Sequence, residues 1–191
     1  MEYNRERCLT DRDLWMLIAH SSYGDDYRPL NFRGANLSGA NLSGADLAGA
    51  NFAMTNLSHV DFTGANLSGA FLAGALMFGT NFTNCNLTGA ELSKADLSEA
   101  ILNEADLTEA NLSGANLTKA LMIDSDFTRA DLSQSFIMLA DLTRANLFKA
   151  NLSGADFSGS ELLEANFGRA FLNDTILDDV RNLERTIGFK R

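Results

Sequence analysis

The chain has 191 residues, and its 25 acidic residues outnumber the 15 basic ones, which gives a formal net charge of −10 at pH 7. This charge disfavours direct binding to nucleic acid or to an anionic membrane surface, and it favours a basic partner. The sequence has no apolar run of roughly 18 residues that could span a membrane, and its polar N-terminus lacks the apolar region of a signal peptide. We therefore expect a cytoplasmic protein.

Residues 1–29 lie outside the pattern that fills most of the chain, and they contain one helix signal. Thr10 is followed three residues later by Asp13, which is the arrangement of a capping box. The capping pair is followed by apolar residues at helical spacing, namely Leu14, Trp15, Leu17 and Ile18. We predict an N-terminal capping helix from about residue 11 to 21 whose apolar face covers the start of the next region.

From Leu30 to Asp179 the sequence repeats every five residues, for thirty copies, without insertion or deletion. We number the positions of a repeat so that position 1 falls on residues ending in 1 or 6. Position 1 is mostly Asn or Asp, position 2 is large and apolar, and position 3 is mostly Ser or Thr. Position 4 is Gly or a charged residue in most copies, and position 5 is mostly Ala.

The spacing of the apolar residues predicts extended chain. Positions 5 and 2 are separated by one outward residue, as in a strand, whereas a spacing of 2, 3, 2, 3 does not keep to one face of a helix. Positions 3 and 4 must then turn the chain, and glycine there supplies the positive φ that some turns need. One short side cannot bury its leucines, but stacked coils about 4.8 Å apart would align them in continuous columns.

This pattern resembles that of the pentapeptide repeat family over residues 30–179. The resemblance implies an all-β solenoid, namely a right-handed quadrilateral β-helix with four repeats per coil, and therefore about 7.5 coils for thirty repeats. Residues 20 apart would then stack on one another. Two columns of charged residues recur at that spacing, namely Arg129, Lys149 and Arg169, and Glu104, Asp124, Arg144 and Glu164.

Residues 180–191 follow the repeats, and we predict a short capping helix and tail there. Asp178 or Asp179 would cap the helix, Arg185 would lie in its last turn and Gly188 would end it. The same segment ends in Phe189, for which two interpretations stay open. Its side chain either makes a dimer contact or folds back onto the last coil.

The sequence offers no arrangement of residues typical of catalysis or metal binding. His20 and His59 have no Cys or His at metal-ligand spacing. Cys85 occupies an inward position and is interpreted as a small core residue, and Cys8 has no visible base to activate it. We expect no catalytic residue, no metal and no cofactor, and hence no enzyme.

Function is expected where outward residues depart from the repeat pattern. Large apolar residues replace Asn or Asp at several copies of position 1, and Ser or Thr at several copies of position 3. Such residues favour a contact surface, although isolated exposed apolar residues are also common. The candidate surface for a protein partner or a homodimer comprises Leu76, Phe78, Ile101, Leu121, Ile123, Phe136, Met138, Leu139, Ile187 and Phe189.

Two functional classes follow, and we favour the first. The chain is either a non-catalytic scaffold or protein-interaction module, or, as the resemblance implies for some family members, an acidic rod that imitates DNA and binds DNA gyrase. The 18 acids and 7 bases of residues 30–179 suit the second class. The basic column that begins at Arg129 would interrupt a negative face, and the projecting loops of the quinolone-resistance members are missing. The family is common in cyanobacteria, so the resemblance also favours such a source.

Overall fold

The computed structural model describes residues 9–21 and 29–189. The chain forms a right-handed β-helix in which strands are reduced to single parallel bridges at position 1. Each bridge joins residues 20 apart, from Asn31 with Asn51 to Glu161 with Arg181. A coil therefore contains four repeats, which confirms the four sides that the resemblance implied. We call these sides 1 to 4, starting from residues 31–35, 36–40, 41–45 and 46–50.

The hydrogen bonds of one repeat explain why the pattern has five positions. The N–H of position 1 donates to the previous coil, and those of positions 2 and 4 donate to the next, as Asn66, Leu67 and Gly69 do at 2.7–2.9 Å. The N–H of position 5 closes the turn, as Ala70 does by donating to Leu67 O at 3.0 Å. The remaining N–H, at position 3, donates to the side chain of position 1, as Ser68 does to Asn66 Oδ1 at 3.2 Å. Asn and Asp therefore satisfy a backbone donor that would otherwise have no acceptor within the repeat.

Every corner of the rod requires a left-handed residue at position 4. All thirty residues at this position have φ between 55° and 70°, and only 12 of them are glycine. The sequence indicated positive φ for some turns, whereas the structure uses it in all of them. A non-glycine residue pays roughly 1–2 kcal/mol for this conformation, so each of the other 18 corners is strained.

The core consists of the side chains at positions 2 and 5, which are buried from Leu37 to Phe167. Aromatic rings stack from one coil to the next, as Phe62 does on Phe82 with 5.3 Å between ring centroids. Inward hydroxyl groups are satisfied by the backbone, as in Thr55, whose Oγ1 donates to Phe32 O at 2.7 Å. Cys85 is buried in one of the small inward positions, as the pattern predicts.

One helix, α1, runs from Asp11 to Ser21 and covers the first coil. Its start has the reciprocal bonds of a capping box, because Asp13 N donates to Thr10 Oγ1 at 3.2 Å and Thr10 N donates to Asp13 Oδ2 at 2.9 Å. The Thr10 hydroxyl also donates to this carboxylate, and together these bonds lower the pKa of Asp13. Leu14 and Ile18 are buried against the core. Trp15 and Leu17 were also predicted on the covering face, but both are exposed. The 3.6-residue turn places Trp15 about 100° from Leu14 on one flank of this face, and Leu17 about 60° from Leu14 on the other.

The side of α1 that bears Trp15 supplies hydrogen-bond partners to the bare edge of the rod. Trp15 Nε1 donates to Asn41 O at 3.2 Å, and Asn41 N donates to Asp11 Oδ1 at 3.3 Å. In later coils the N–H of the equivalent residue donates to the coil before it. Since Asn41 lies in the first coil, α1 takes the place of that missing neighbour.

The C-terminal capping helix predicted for residues 180–191 is wrong over the described residues. The segment contains only a 3-10 turn, Leu183–Arg185, which follows Asn182 rather than Asp178 or Asp179. Gly188 therefore does not end a helix. The coil instead continues, since Arg181 bridges Glu161 in register and Ile187 bridges Asn166, 21 residues earlier.

The edge of the preceding coil explains this continuation. Arg181 N donates to Ser160 O and Ile187 N donates to Ala165 O, each at 2.8 Å. These acceptors favour extended chain over a short helix, and the 3-10 turn accommodates the one extra residue. The β-helix thus extends past Asp179, the predicted end of the repeats.

Candidate protein-interaction surface

An apolar surface lies where sides 2 and 3 meet. We call it the apolar edge, and it comprises Leu121, Ile123, Phe136, Met138 and Leu139. Phe136 and Leu139 are 50% and 59% exposed. Leu121 is also exposed, whereas Ile123 and Met138 are half-buried. The structure thus places these five residues in two adjacent coils around one corner.

Two residues of the apolar edge depart from what the backbone of the repeat favours. Phe136 cannot accept a hydrogen bond from the N–H of Met138 as Asn or Asp would. This N–H has no other acceptor in the described part of the chain. Leu139 has the left-handed φ of 57° that glycine adopts more readily. On side 3, by contrast, the N–H of Ile123 recovers an acceptor in Asn103 Oδ1, at 3.0 Å.

The other residues predicted for this surface divide into two groups. Ile101 bridges Leu121 directly, so it extends the apolar edge by one coil, although it is half-buried. Leu76 and Phe78 also lie on side 2, but Asp96 and Asn116 separate Leu76 from Phe136 along the ladder. The ring of Phe78 packs edge-to-face against His59, with 5.3 Å between centroids. Leu76 and Phe78 therefore do not belong to the apolar edge.

The two C-terminal residues predicted for a dimer contact lie on side 4 at the end of the rod. Phe189 packs edge-to-face against Phe167 at 5.8 Å and is half-buried. Of the two interpretations of Phe189, the structure therefore selects the side chain folded back onto the last coil. Ile187 remains exposed beside it.

A second unusual surface lies where side 4 meets side 1, at the opposite corner of the square. We call it the basic edge, and it comprises Arg129, Lys149 and Arg169 in consecutive coils together with Phe148. Lys149 Nζ lies 5.2 Å from the centre of the Phe148 ring, and the guanidinium carbon of Arg169 lies 5.9 Å from it. Arg129 pairs with Glu109 at 2.9 Å.

Charged corner residues elsewhere pair across coils. Lys119 pairs with Glu99 at 3.3 Å, and Arg185 pairs with Glu164 at 2.9 Å. Arg144 pairs with Asp124 and lowers the pKa of that carboxyl group, chiefly through its hydrogen bonds. In each pair the base stands one coil after the acid, as Arg144 does after Asp124 in the charged column identified from the sequence.

No metal-binding cluster of three or more His, Cys, Asp or Glu side chains occurs among residues 9–21 and 29–189. Burial raises the pKa of the Cys85 thiol to about 12, so this thiol stays protonated at neutral pH. Cys8 lies outside the described residues, as does the side chain of His20. Over the described ranges, the structure contains no helix that combines the length and apolar character required to cross a membrane.

Comparison with protein families agrees with this geometry. The model described as pentapeptide repeats (8 copies) matches residues 31–64 and 55–93, and the model described as a pentapeptide repeat region matches residues 75–167. The chain belongs to the pentapeptide repeat family. The resemblance drawn from the sequence is therefore confirmed.

The chain is similar to solved structures of pentapeptide repeat proteins. QnrB1, a plasmid-mediated fluoroquinolone resistance protein, is 19% identical with a TM-score of 0.57, and the match covers 85% of this chain and 89% of that one. HetL, involved in heterocyst differentiation regulation in the cyanobacterium Nostoc sp. strain PCC 7120, is 26% identical over 91% and 95% of the two chains, with a TM-score of 0.39. A pentapeptide repeat protein from the Arabidopsis thaliana thylakoid lumen is 32% identical over 59% and 68%, with a TM-score of 0.31. A comparison with the curated proteins gives no match.

Sequence reasoning missed two features of this pentapeptide repeat chain. Met54 is among its most exposed apolar side chains, and its signal was a large apolar residue at position 4. The grouping of Phe148 with Lys149 and Arg169 was also missed, although the two bases belong to a charged column identified from the sequence. Finding the group requires the residue next to Phe148 and the residue 21 positions after it to be considered together.

Proposed function

We propose that this chain is a non-catalytic interaction rod that binds a protein partner through its apolar edge. Regular repeats supply a stiff support, and the edge presents apolar side chains at one defined corner. The observation that carries the proposal is Leu139, which is 59% exposed and has a left-handed φ of 57°. Its own coil gains little from it, since glycine would fit the same corner without strain.

The neighbouring coil supports the same interpretation. Gly159 stands one coil above Leu139, and a Cβ there would lie 2.7 Å from Leu139 Cδ2. The side chain of Leu139 therefore occupies the space that a side chain at Gly159 would need, instead of packing into the core. Together with Phe136 and Leu121 it forms an exposed apolar surface at this corner, which is the composition of a contact site.

A capture experiment with a matched control tests this proposal. The tagged protein and the variant Phe136→Asn with Leu139→Gly are used as baits in extracts of cells that produce the protein. The control variant Phe71→Asn with Met54→Gly makes the same two changes at other exposed residues of positions 1 and 4. A partner that is lost only from the apolar-edge variant supports the proposal. A partner that all three baits retain, or that both variants lose equally, overturns it.

A second candidate function, the binding of DNA gyrase by imitation of DNA, is favoured by one observation. Residues 30–179 carry 18 acids against 7 bases. On the other side, three of these seven bases, Lys119, Arg129 and Arg144, are paired with carboxylates across coils, and the basic edge interrupts the negative surface. Inhibition of supercoiling by purified gyrase at micromolar protein would support this function, and no effect at that concentration would eliminate it.

A further inference from the structure

The basic edge differs from the corners at which a base follows a carboxylate. Where a base occupies a corner and a carboxylate precedes it by one coil, the two form a salt bridge, as in Glu99 with Lys119. Lys149 and Arg169 instead follow another base at the same corner, and neither forms a salt bridge within the described residues. Like charges in neighbouring coils repel one another, and a bound anion would remove that repulsion.

We propose that the basic edge binds an acidic protein segment that carries at least two carboxylates beside an aromatic side chain. This proposal goes beyond the proposed function, because the basic edge lies at the corner opposite the apolar edge and would bind an acidic partner. The carboxylates would pair with Lys149 and Arg169, and the aromatic side chain would pack on Phe148.

The surroundings of Phe148 indicate that its ring is given a defined place. It stands at position 3, where Ser or Thr is usual. In the next coil position 3 is Gly168, and a Cβ there would lie 3.1 Å from Phe148 Cδ2. The φ of Gly168 lies outside the left-handed region, so the backbone does not require glycine. The absence of a side chain instead leaves room for the ring, which lies near the cations of Lys149 and Arg169 and can serve as a platform for an aromatic group.

The charges around the basic edge favour a short peptide over a nucleic acid. Asp126 and Asp131 lie on either side of Arg129 along the chain, and Glu109 pairs with it. A phosphate backbone running along the rod would meet these carboxylates and the acidic repeats beyond them. A short peptide whose two or three carboxylates bind at Lys149 and Arg169 would avoid these acidic side chains.

The test measures binding of a fluorescein-labelled peptide, Glu-Glu-Phe-Glu-Glu, to the full chain by fluorescence anisotropy. We expect the variant Lys149→Gln with Arg169→Gln to bind about tenfold more weakly, because it removes two charge contacts at the surface. The fold should tolerate glutamine, since Gln134 already occupies the same left-handed position. Phe148→Ser should weaken binding as well, and the peptide Gln-Gln-Phe-Gln-Gln should not bind.

The matched control is Lys94→Gln, which removes a positive charge from a left-handed corner on another edge. It should leave the affinity unchanged, and circular dichroism should show all variants folded. Equal weakening by the control variant overturns the proposal, because the interaction would then depend on overall charge. Tighter binding of a twelve-nucleotide oligothymidylate than of the peptide overturns it in favour of nucleic acid. Self-association of the protein alone that the double variant abolishes overturns it in favour of a second copy.

Discussion

Restoring the repeat pattern at the apolar edge should leave the stability of the rod nearly unchanged. In Phe136→Asn a side-chain acceptor for the N–H of Met138 returns, which contributes about 1 kcal/mol. In Leu139→Gly the left-handed strain is relieved, which contributes about 1 kcal/mol more. Against this, the two side chains are 50% and 59% exposed, so removing their buried parts costs about 1 kcal/mol each. The free energy of unfolding should therefore stay within about 1 kcal/mol of the wild type.

Equilibrium unfolding in guanidinium chloride, followed by circular dichroism, measures this difference. Leu107→Ala serves as the reference for a structural residue, because Leu107 is fully buried and its truncation should cost about 2–5 kcal/mol. If the double variant at Phe136 and Leu139 lost as much as this reference, the two residues would be structural. The argument that they are held for a partner would then be refuted.

Three further predictions test the repeat itself. Gly79→Ala should destabilise the rod more than Gly64→Ala, since both have positive φ but only at Gly79 would a Cβ lie 2.8 Å from His59 Nδ1; equal melting temperatures would contradict this. Asp61→Ala should cost about 1 kcal/mol in chemical unfolding, because the carboxylate accepts bonds of 3.0 and 2.6 Å from the residue two positions on, whereas Asp61→Asn should be neutral. Burial raises the pKa of Cys85 from 9.0 to about 12, so above pH 9 the unfolded chain releases the thiol proton first and stability falls up to about pH 12. Unfolding from about pH 8 to 10.5 should show a smaller decline in Cys85→Ala than in the wild type, and parallel declines would exclude this thiol as the cause.

The core could be predicted from the sequence because its positions are set by a strict period. An alternation of inward and outward residues over each side identifies positions 2 and 5, and thirty copies leave no doubt about register. The period of five did not fix the number of sides, since any stack of equal sides would bury the same residues. That number came from the family resemblance, and the bridges between residues 20 apart establish it.

The C-terminal segment could not be predicted because its structure depends on the coil beneath it. Val180, Leu183 and Ile187 have the spacing of a short helix, yet an isolated helix of this length is marginal in water. The carbonyl groups of Ser160 and Ala165 accept bonds from the segment, and this tertiary template outweighs the local preference. A pattern that contains one inserted residue does not reveal the register on the far side of the insertion.

The three outward positions of a repeat do not carry equal information about function. They differ in how far a large apolar residue destabilises the backbone. An apolar residue at position 1 removes an acceptor for position 3, and a large residue at position 4 takes on left-handed strain. The side chain at position 3 affects neither the acceptor nor the left-handed turn, so an apolar residue there, such as Met138, indicates little about function by itself. Phe136 and Leu139 depart at both demanding positions of one repeat, which is why the apolar edge is the stronger candidate.

A bulky residue at position 3 is instead revealed by its neighbour one coil later. Phe148 is accompanied by Gly168, whose φ lies outside the left-handed region and whose missing side chain makes room for the ring. Glycine at position 4 serves the turn, so it conveys nothing about the coil below, whereas glycine at position 3 has no conformational reason to be there. In a solenoid of this kind, a surface shaped across coils should therefore be sought at pairs 20 residues apart in which a large residue at position 3 precedes a glycine.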